Sequence, residues 1–309
     1  MTNSEDDAYR FFETQNTGGV RLSGADIIKA HHLRALKETH RGRYAKQWEK
    51  LGDINPIILT LLRGRFWQKL KYRDLPSHRE VKTLKAAIID EFAEKTGTGT
   101  DTAFARTKRV SDETGHFYQE HSHKSYDFRQ PLNAGLNSIN YLTYFQSLRV
   151  KYIECSEIPH LLAYKDFCQW TKKLKGSGYL NPLFEACIIM YVSQFGEYKL
   201  EYAAHQIFKV TFSIRMRNPK AVRENSIPKF INEYPVLDWI AGSYTPEQCL
   251  KQFEEFSLYL DPNNLGDSYS VKKEFLNQLN ERFKLELTEN EYAEKFTQSL
   301  SSKLAEFGN

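Results

Sequence analysis

YRFFETQNTGGVRLSGADIIKAHHLRAL, residues 9–36, places unusual turn chemistry between two well-marked helices. Ser4 can cap the first helix, and Glu5, Asp6 and Asp7 fill its opening turn, where the positive end of the helix dipole favours acid. That helix carries Phe11 and Phe12 and stops near Asn16. Thr17-Gly18-Gly19 then opens backbone angles that most residues avoid, and Ser23 followed by Asp26 resembles a capping box with a shortened acid. A second helix therefore starts near Gly24. It sets Ile27, Ile28, Ala30 and Leu33 roughly on one face and leaves Lys29 and His32 to either side.

Outward from this stretch the chain is a succession of helices. Arg41 to Asp53 gives a short helix with Tyr44 and Trp48, broken near Gly52. Pro56 opens the next, where Ile57, Ile58, Leu61, Leu62, Phe66, Trp67 and Leu70 recur at spacings of three and four, the pattern of a buried stripe. A helix from about His78 to Lys95 follows and ends in TGTGTDT. Residues 96–125, rich in Gly, Thr, Ser and charge without a sustained period, are expected to be a long exposed loop or insertion. Within it Glu120, His121 and His123 carry metal-ligand chemistry, but a fourth ligand is not in view and a surface loop explains them better. Helices are then expected over 136–153, 159–174, from Pro182, and over 198–214. Thr245-Pro246-Glu247, Ser268 or Ser270, and Thr288 open the last three, whose short connections favour antiparallel neighbours in a bundle.

Composition fits an ordinary folded body. Basic residues number 43 against 39 acidic ones, too small a bias to name a nucleic-acid partner. Distribution says more: from Lys29 to Lys85 there are 15 basic and 5 acidic residues. Such a surplus grips a phosphate backbone if the charges share a face, and is a solvated helical surface if they do not. Arg41, Arg43, Arg63, Arg65, Lys69, Lys71 and Arg73 are the candidate DNA contacts, while Phe66 and Trp67 fall on the apolar face as core. Arg215, Arg217, Lys220 and Arg223 form a second candidate phosphate contact. Cys155, Cys168, Cys187 and Cys249 make no C-x-x-C pair and are expected as free, mostly buried thiols. No signal peptide or membrane-length apolar run is present, so a cytoplasmic setting without a membrane partner is expected.

The run FFETQNTGGVRLSGADIIKAHHLR resembles a segment of the N-terminal domain family of GmrSD-type, modification-dependent restriction endonucleases. The matching positions are Phe12, Asn16, Gly19, Leu22, Asp26, Ile27, Ile28, Lys29, Ala30, Leu33 and Arg34, with weaker echoes in residues 128–145 and 225–240. Gly18 and Ala25 depart from the pattern. The resemblance implies a ParB-like, nucleotide-handling module before a helical region, often followed by an HNH nuclease. Its Asp-Gly-Gln-Gln-Arg motif does not occur in this sequence, and the nine histidines show no HNH pattern.

The expected protein is therefore mainly α, a helical bundle with an N-terminal helical remnant of a ParB-like domain. The expected divisions are a remnant over 1–95, a loop over 96–125 and a helical domain over 126–309. It is expected to be a truncated or split component of a GmrSD-like restriction or phage-defence system without independent hydrolysis. Asn16, Gly18, Gly19, Asp26 and Lys29 are its remnant nucleotide-binding positions, although Asn16 can equally end a helix and Asp26 cap one. No cofactor is expected in the chain alone, and no catalytic or metal-binding residue is assigned. A nucleoside triphosphate is expected if a partner carrying the missing half completes the pocket. The competing expectation is a non-enzymatic helical module that binds DNA or protein.

Overall fold

The computed structural model describes residues 24–69, 91–92, 107–111, 117–121, 126–155, 158–218, 221–263, 265 and 270–308. The fold is mainly α. The chain forms two compact units that interleave along the sequence. Unit 1 takes Met1–Leu59, His78–Thr102 and Pro131–Thr143, and unit 2 takes Thr60–Ser77, Ala103–Gln130 and Tyr144–Asn309.

In unit 1, α1 (Gly24–Arg34) packs on α2 (Glu38–Glu49). Ala25 and Ile28 are buried with Leu36 and Trp48, whereas on the face expected from the spacing Ile27 and Leu33 are only half-buried and Ala30 is exposed. His32 does not flank the helix as expected: it is fully buried. Its Nδ1 accepts from the Gly135 backbone N–H at 3.2 Å, so Nε2 carries the proton and donates to the Phe92 carbonyl oxygen. One imidazole thus ties three segments. Gly135 sits at φ +82°, with Leu36 Cδ2 3.3 Å from where a Cβ would stand, so both its backbone angle and its surroundings favour glycine. Gln47 adds bonds to Asn140 at 3.4 Å and Thr143 at 3.2 Å.

Next come α3 (Asn55–Lys69) and α4 (Leu136–Tyr152). Asp53 accepts from the Asn55 N–H at 3.0 Å, closing the open end of α3, and Ile57, Ile58, Leu61, Leu62, Phe66 and Trp67 are buried along it. Residues 96–125 hold more than the expected loop. β1 (Thr107–Ser111) and β2 (Phe117–His121) pair antiparallel, with Thr107 opposite His121 and Ser111 opposite Phe117.

Unit 2 is a helical bundle around one element. It contains α5 (Leu162–Lys173), α6 (Asn181–Phe195), α7 (Leu200–Arg217), α8 (Ser226–Glu233) and α9 (Val236–Gly242). α10 (Pro246–Glu254), α11 (Val271–Phe283) and α12 (Tyr292–Glu306) follow. α7 touches α5, α6, α8, α10 and α12. Gly196 at φ +65° and Lys199 at φ +42° turn the chain from α6 into α7. The rings of Phe167, Trp170, Phe208, Phe212, Phe275 and Phe283 interlock beside it, each deeply buried Phe contributing roughly 1.5–3 kcal/mol. The sequence-level starts at the end of the chain are in place: Thr245 accepts from the Gln248 N–H, and Thr288 with Glu291 forms a capping box ahead of α12. Among the described residues no helix is long and apolar enough to cross a membrane.

Candidate functional site

A helix surrounded on every side must either be apolar throughout or find partners for its polar groups. α7 takes the second course, since Leu200 and every residue from Tyr202 to Met216 are buried although the run includes His, Gln, Lys, Thr, Ser and Arg. Thr211 and Ser213 return their hydroxyls to the carbonyl oxygens of Ile207 and Val210, at 2.9 and 2.7 Å. Arg215 donates to the Asn218 carbonyl oxygen at 2.9 Å. His205 is sandwiched between Phe167 and Phe307 at centroid distances of 3.9 and 3.8 Å, and its Nδ1–H donates to the Glu201 carbonyl oxygen at 2.8 Å. Burial pushes this imidazole down to about 4.

Tyr202, Gln206 and Lys209 remain, spaced by four and three so that they share one face. That face forms the floor of an open cleft of about 380 Å³, within the range of small-molecule sites. The floor is the buried Tyr202, Gln206, Lys209 and Phe256. Its rim comes from the end of α10 and from α12: Glu254, Ser257, Thr297, Gln298 and Ser301 bring a carboxylate, hydroxyls and an amide. Tyr202 is fixed from two sides. Its hydroxyl donates to Glu254 Oε1 at 2.7 Å, and Gly308 approaches so closely that a Cβ there would stand 2.8 Å from the ring. Burial and the Glu254 bond push the phenol well above its ordinary range.

Gln206 Nε2 donates to the Leu304 carbonyl oxygen at 3.2 Å, which orients the amide. Among the described residues its Oε1 is buried without a hydrogen-bond partner, at a cost of about 1–3 kcal/mol. Three residues on, Lys209 Nζ donates to the Glu254 carbonyl oxygen at 3.1 Å. Burial lowers its pKa to about 8 against the pull of Glu254, so a sizeable fraction is neutral amine near physiological pH. An unanswered acceptor and a desolvated amine on adjacent turns are costly to the fold and useful to a ligand bearing O–H or N–H donors.

A second polar cluster lies in unit 2. Glu197 accepts from Lys151 at 2.6 Å, Tyr152 at 2.7 Å and His160 at 2.7 Å. Against the cost of its partial burial, these bonds hold its carboxyl down to about 2. The cluster fastens the turn before α7 to the end of α4.

The structure distributes the residues singled out in the sequence unevenly. Asn16, Gly18, Gly19, Lys71, Arg73, Lys220 and His123 lie outside the described residues, as does the side chain of Lys69. Asp26 is exposed on α1, and Lys29 pairs with Glu49 at 3.5 Å. Arg41 donates to the carbonyl oxygens of Leu36 and Arg34, at 3.0 and 3.1 Å, closing the end of α1. Arg65 does not face solvent as a DNA contact: it is buried and clamps the carbonyl oxygens of Phe128 and Gln130, at 3.0 and 2.9 Å. Arg63 is half-buried, and desolvation lowers its pKa. Arg43 is exposed, with its guanidinium 5.8 Å from the Tyr44 ring centroid. In the second basic stretch Arg215 is buried and Arg217 is boxed by Phe230, Tyr234 and Phe256, with centroids 5.9, 4.5 and 5.5 Å away. Arg215 is thus closed to an outside phosphate, while Arg217 is half-buried and pairs with Glu233 at 3.5 Å. All four cysteines are free and buried. Among the described residues no group of three or more His, Cys, Asp or Glu is arranged to hold a metal ion.

The cleft residues were not singled out by sequence reasoning. The signal was there: Gln206 and Lys209 stand in a helix whose other face is Ile207, Phe208 and Val210. Residues 40–270 match the model of a family of unknown function (DUF7834). No curated protein and no solved structure matches the chain.

Proposed function

The chain belongs to this family, and we propose, from its cleft and from the resemblance in its sequence, that it is a helical binding component of a GmrSD-like restriction or phage-defence system, taking a small polar molecule into the cleft of unit 2 while a partner chain breaks bonds. The binding half of this reading is carried by Gln206, which lines a cleft already large enough for a small molecule and whose buried Oε1 lacks a hydrogen-bond donor among the described residues. The defence setting is supported by the resemblance over Phe12 to Arg34. Thermal unfolding in the presence of erythritol and other uncharged polyols tests the first half. A rise in midpoint that Gln206→Met abolishes is expected, whereas equal rises in both proteins, or none, would count against the cleft. The setting is tested by adding a chain that carries the Asp-Gly-Gln-Gln-Arg motif. Nucleotide binding that Asn16→Ala removes is expected.

A DNA-binding reading is favoured by one observation, the exposed Arg43, Lys46 and Lys50 at spacings of three and four on and just beyond α2. Three phosphate contacts predict a slope of log affinity against log salt of about −2.7 on duplex DNA. Replacing all three by Gln is expected to flatten it, and a slope unchanged by the substitutions would remove this face as the contact.

A further inference from the structure

We infer that Lys209 is a carbonyl-capturing amine, forming a reversible imine with a small hydroxylated aldehyde or ketone held in the cleft. The inference rests on the cleft reading above and names the chemistry of its ligand. Lys209 extends from the middle of α7 to the cleft floor and is buried, and among the described residues its Nζ donates to a backbone carbonyl oxygen instead of a carboxylate. Such an environment disfavours ammonium and leaves the nitrogen lone pair available near neutral pH. The Glu254 carboxylate, held by the Tyr202 hydroxyl, lies in the same cleft and is electrostatically coupled to Lys209. Gln206 Oε1 supplies the acceptor that a hydroxyl beside the carbonyl would satisfy.

The step balances without a redox partner. The amine lone pair attacks the carbonyl carbon as the C–O π bond opens, and the oxygen takes a proton to give a carbinolamine. The C–O bond then breaks, and both hydrogens of the neutral amine leave with that oxygen as water, giving C=N. Glu254, hydrogen-bonded to Tyr202, is the group in the cleft suited to relay a proton from nitrogen to the departing hydroxyl.

Incubation of the full chain with glycolaldehyde and cyanoborohydride at neutral pH, followed by peptide mass spectrometry, tests this. Lys209 is expected to be labelled at least tenfold faster than the exposed Lys229 and Lys251, with a rate that levels off above about pH 8. Ordinary lysines near 10.4 hold on the order of a hundredfold less free amine at neutral pH. Labelling of Lys209 no faster than these two would overturn the inference. Gln206→Met is expected to slow labelling by glycolaldehyde more than labelling by acetaldehyde, which has no hydroxyl, and equal slowing would overturn the hydroxyl preference. Two measurements on the wild-type protein separate the two readings. A polyol-induced thermal shift that Gln206→Met removes, together with failed labelling of Lys209, keeps the cleft and sinks the imine. Absence of both sinks both.

Discussion

Two neutral histidines make stability depend on acid in a defined window. Burial holds His32 and His205 at about 4, while an unfolded chain holds them near 6.5. Between about 6.5 and 4 the unfolded chain therefore binds more protons, and stability falls as pH falls, levelling off below about 4. Each contributes about 3 kcal/mol to that loss. His205→Phe keeps the stack between Phe167 and Phe307 and removes the titration, so chemical denaturation at pH 7 and pH 4.5 is expected to show a shallower acid limb. An unchanged limb would place the titration elsewhere. Neither role was legible in the sequence. His32 closes onto Phe92 and Gly135, separated from it by 60 and 103 residues, and no local pattern encodes so distant a partner.

At the scale of elements the periodic signal was dependable, because spacings of three and four with Pro or Thr at the start state both a buried face and a cap. Thr245 and Thr288 are the helix starts the sequence named, and the structure adds Glu291 as the partner that completes a box at Thr288. The hairpin escaped, since TKRVS and FYQEH are short and mix charge with apolar residues instead of alternating cleanly. Gly64 lies inside α3, where a Cβ would stand 2.6 Å from Phe128 Cζ, and Phe128 is itself buried edge-on against Phe145. Gly64→Ala gains about 1 kcal/mol of helix propensity and loses about 1–3 kcal/mol to overpacking. Net destabilisation is expected in urea unfolding, and a stabilised variant would show that Phe128 yields freely.

For the whole molecule, sequence showed that helices dominate but not which one lies at the centre of unit 2. α7 carries enough polar residues to pass for a surface helix, and its burial follows from five neighbouring helices that only the tertiary fold assembles. That enclosure extends to the thiols: Cys155, Cys168, Cys187 and Cys249 are all free and buried. Desolvation raises Cys168, Cys187 and Cys249, the last to about 12. A thiol reagent is expected to react slowly with the native chain and to count four groups after guanidinium is added; rapid native reaction would mean that unit 2 opens readily. The Phe307 ring, partly exposed, lies flat on His205, and the adjacent Gly308 presses on Tyr202. This juxtaposition offers an optical gauge: an indole introduced by Phe307→Trp would rest on the imidazole, and its emission should dim as that ring gains a proton, turning a hidden acid transition into a change of brightness.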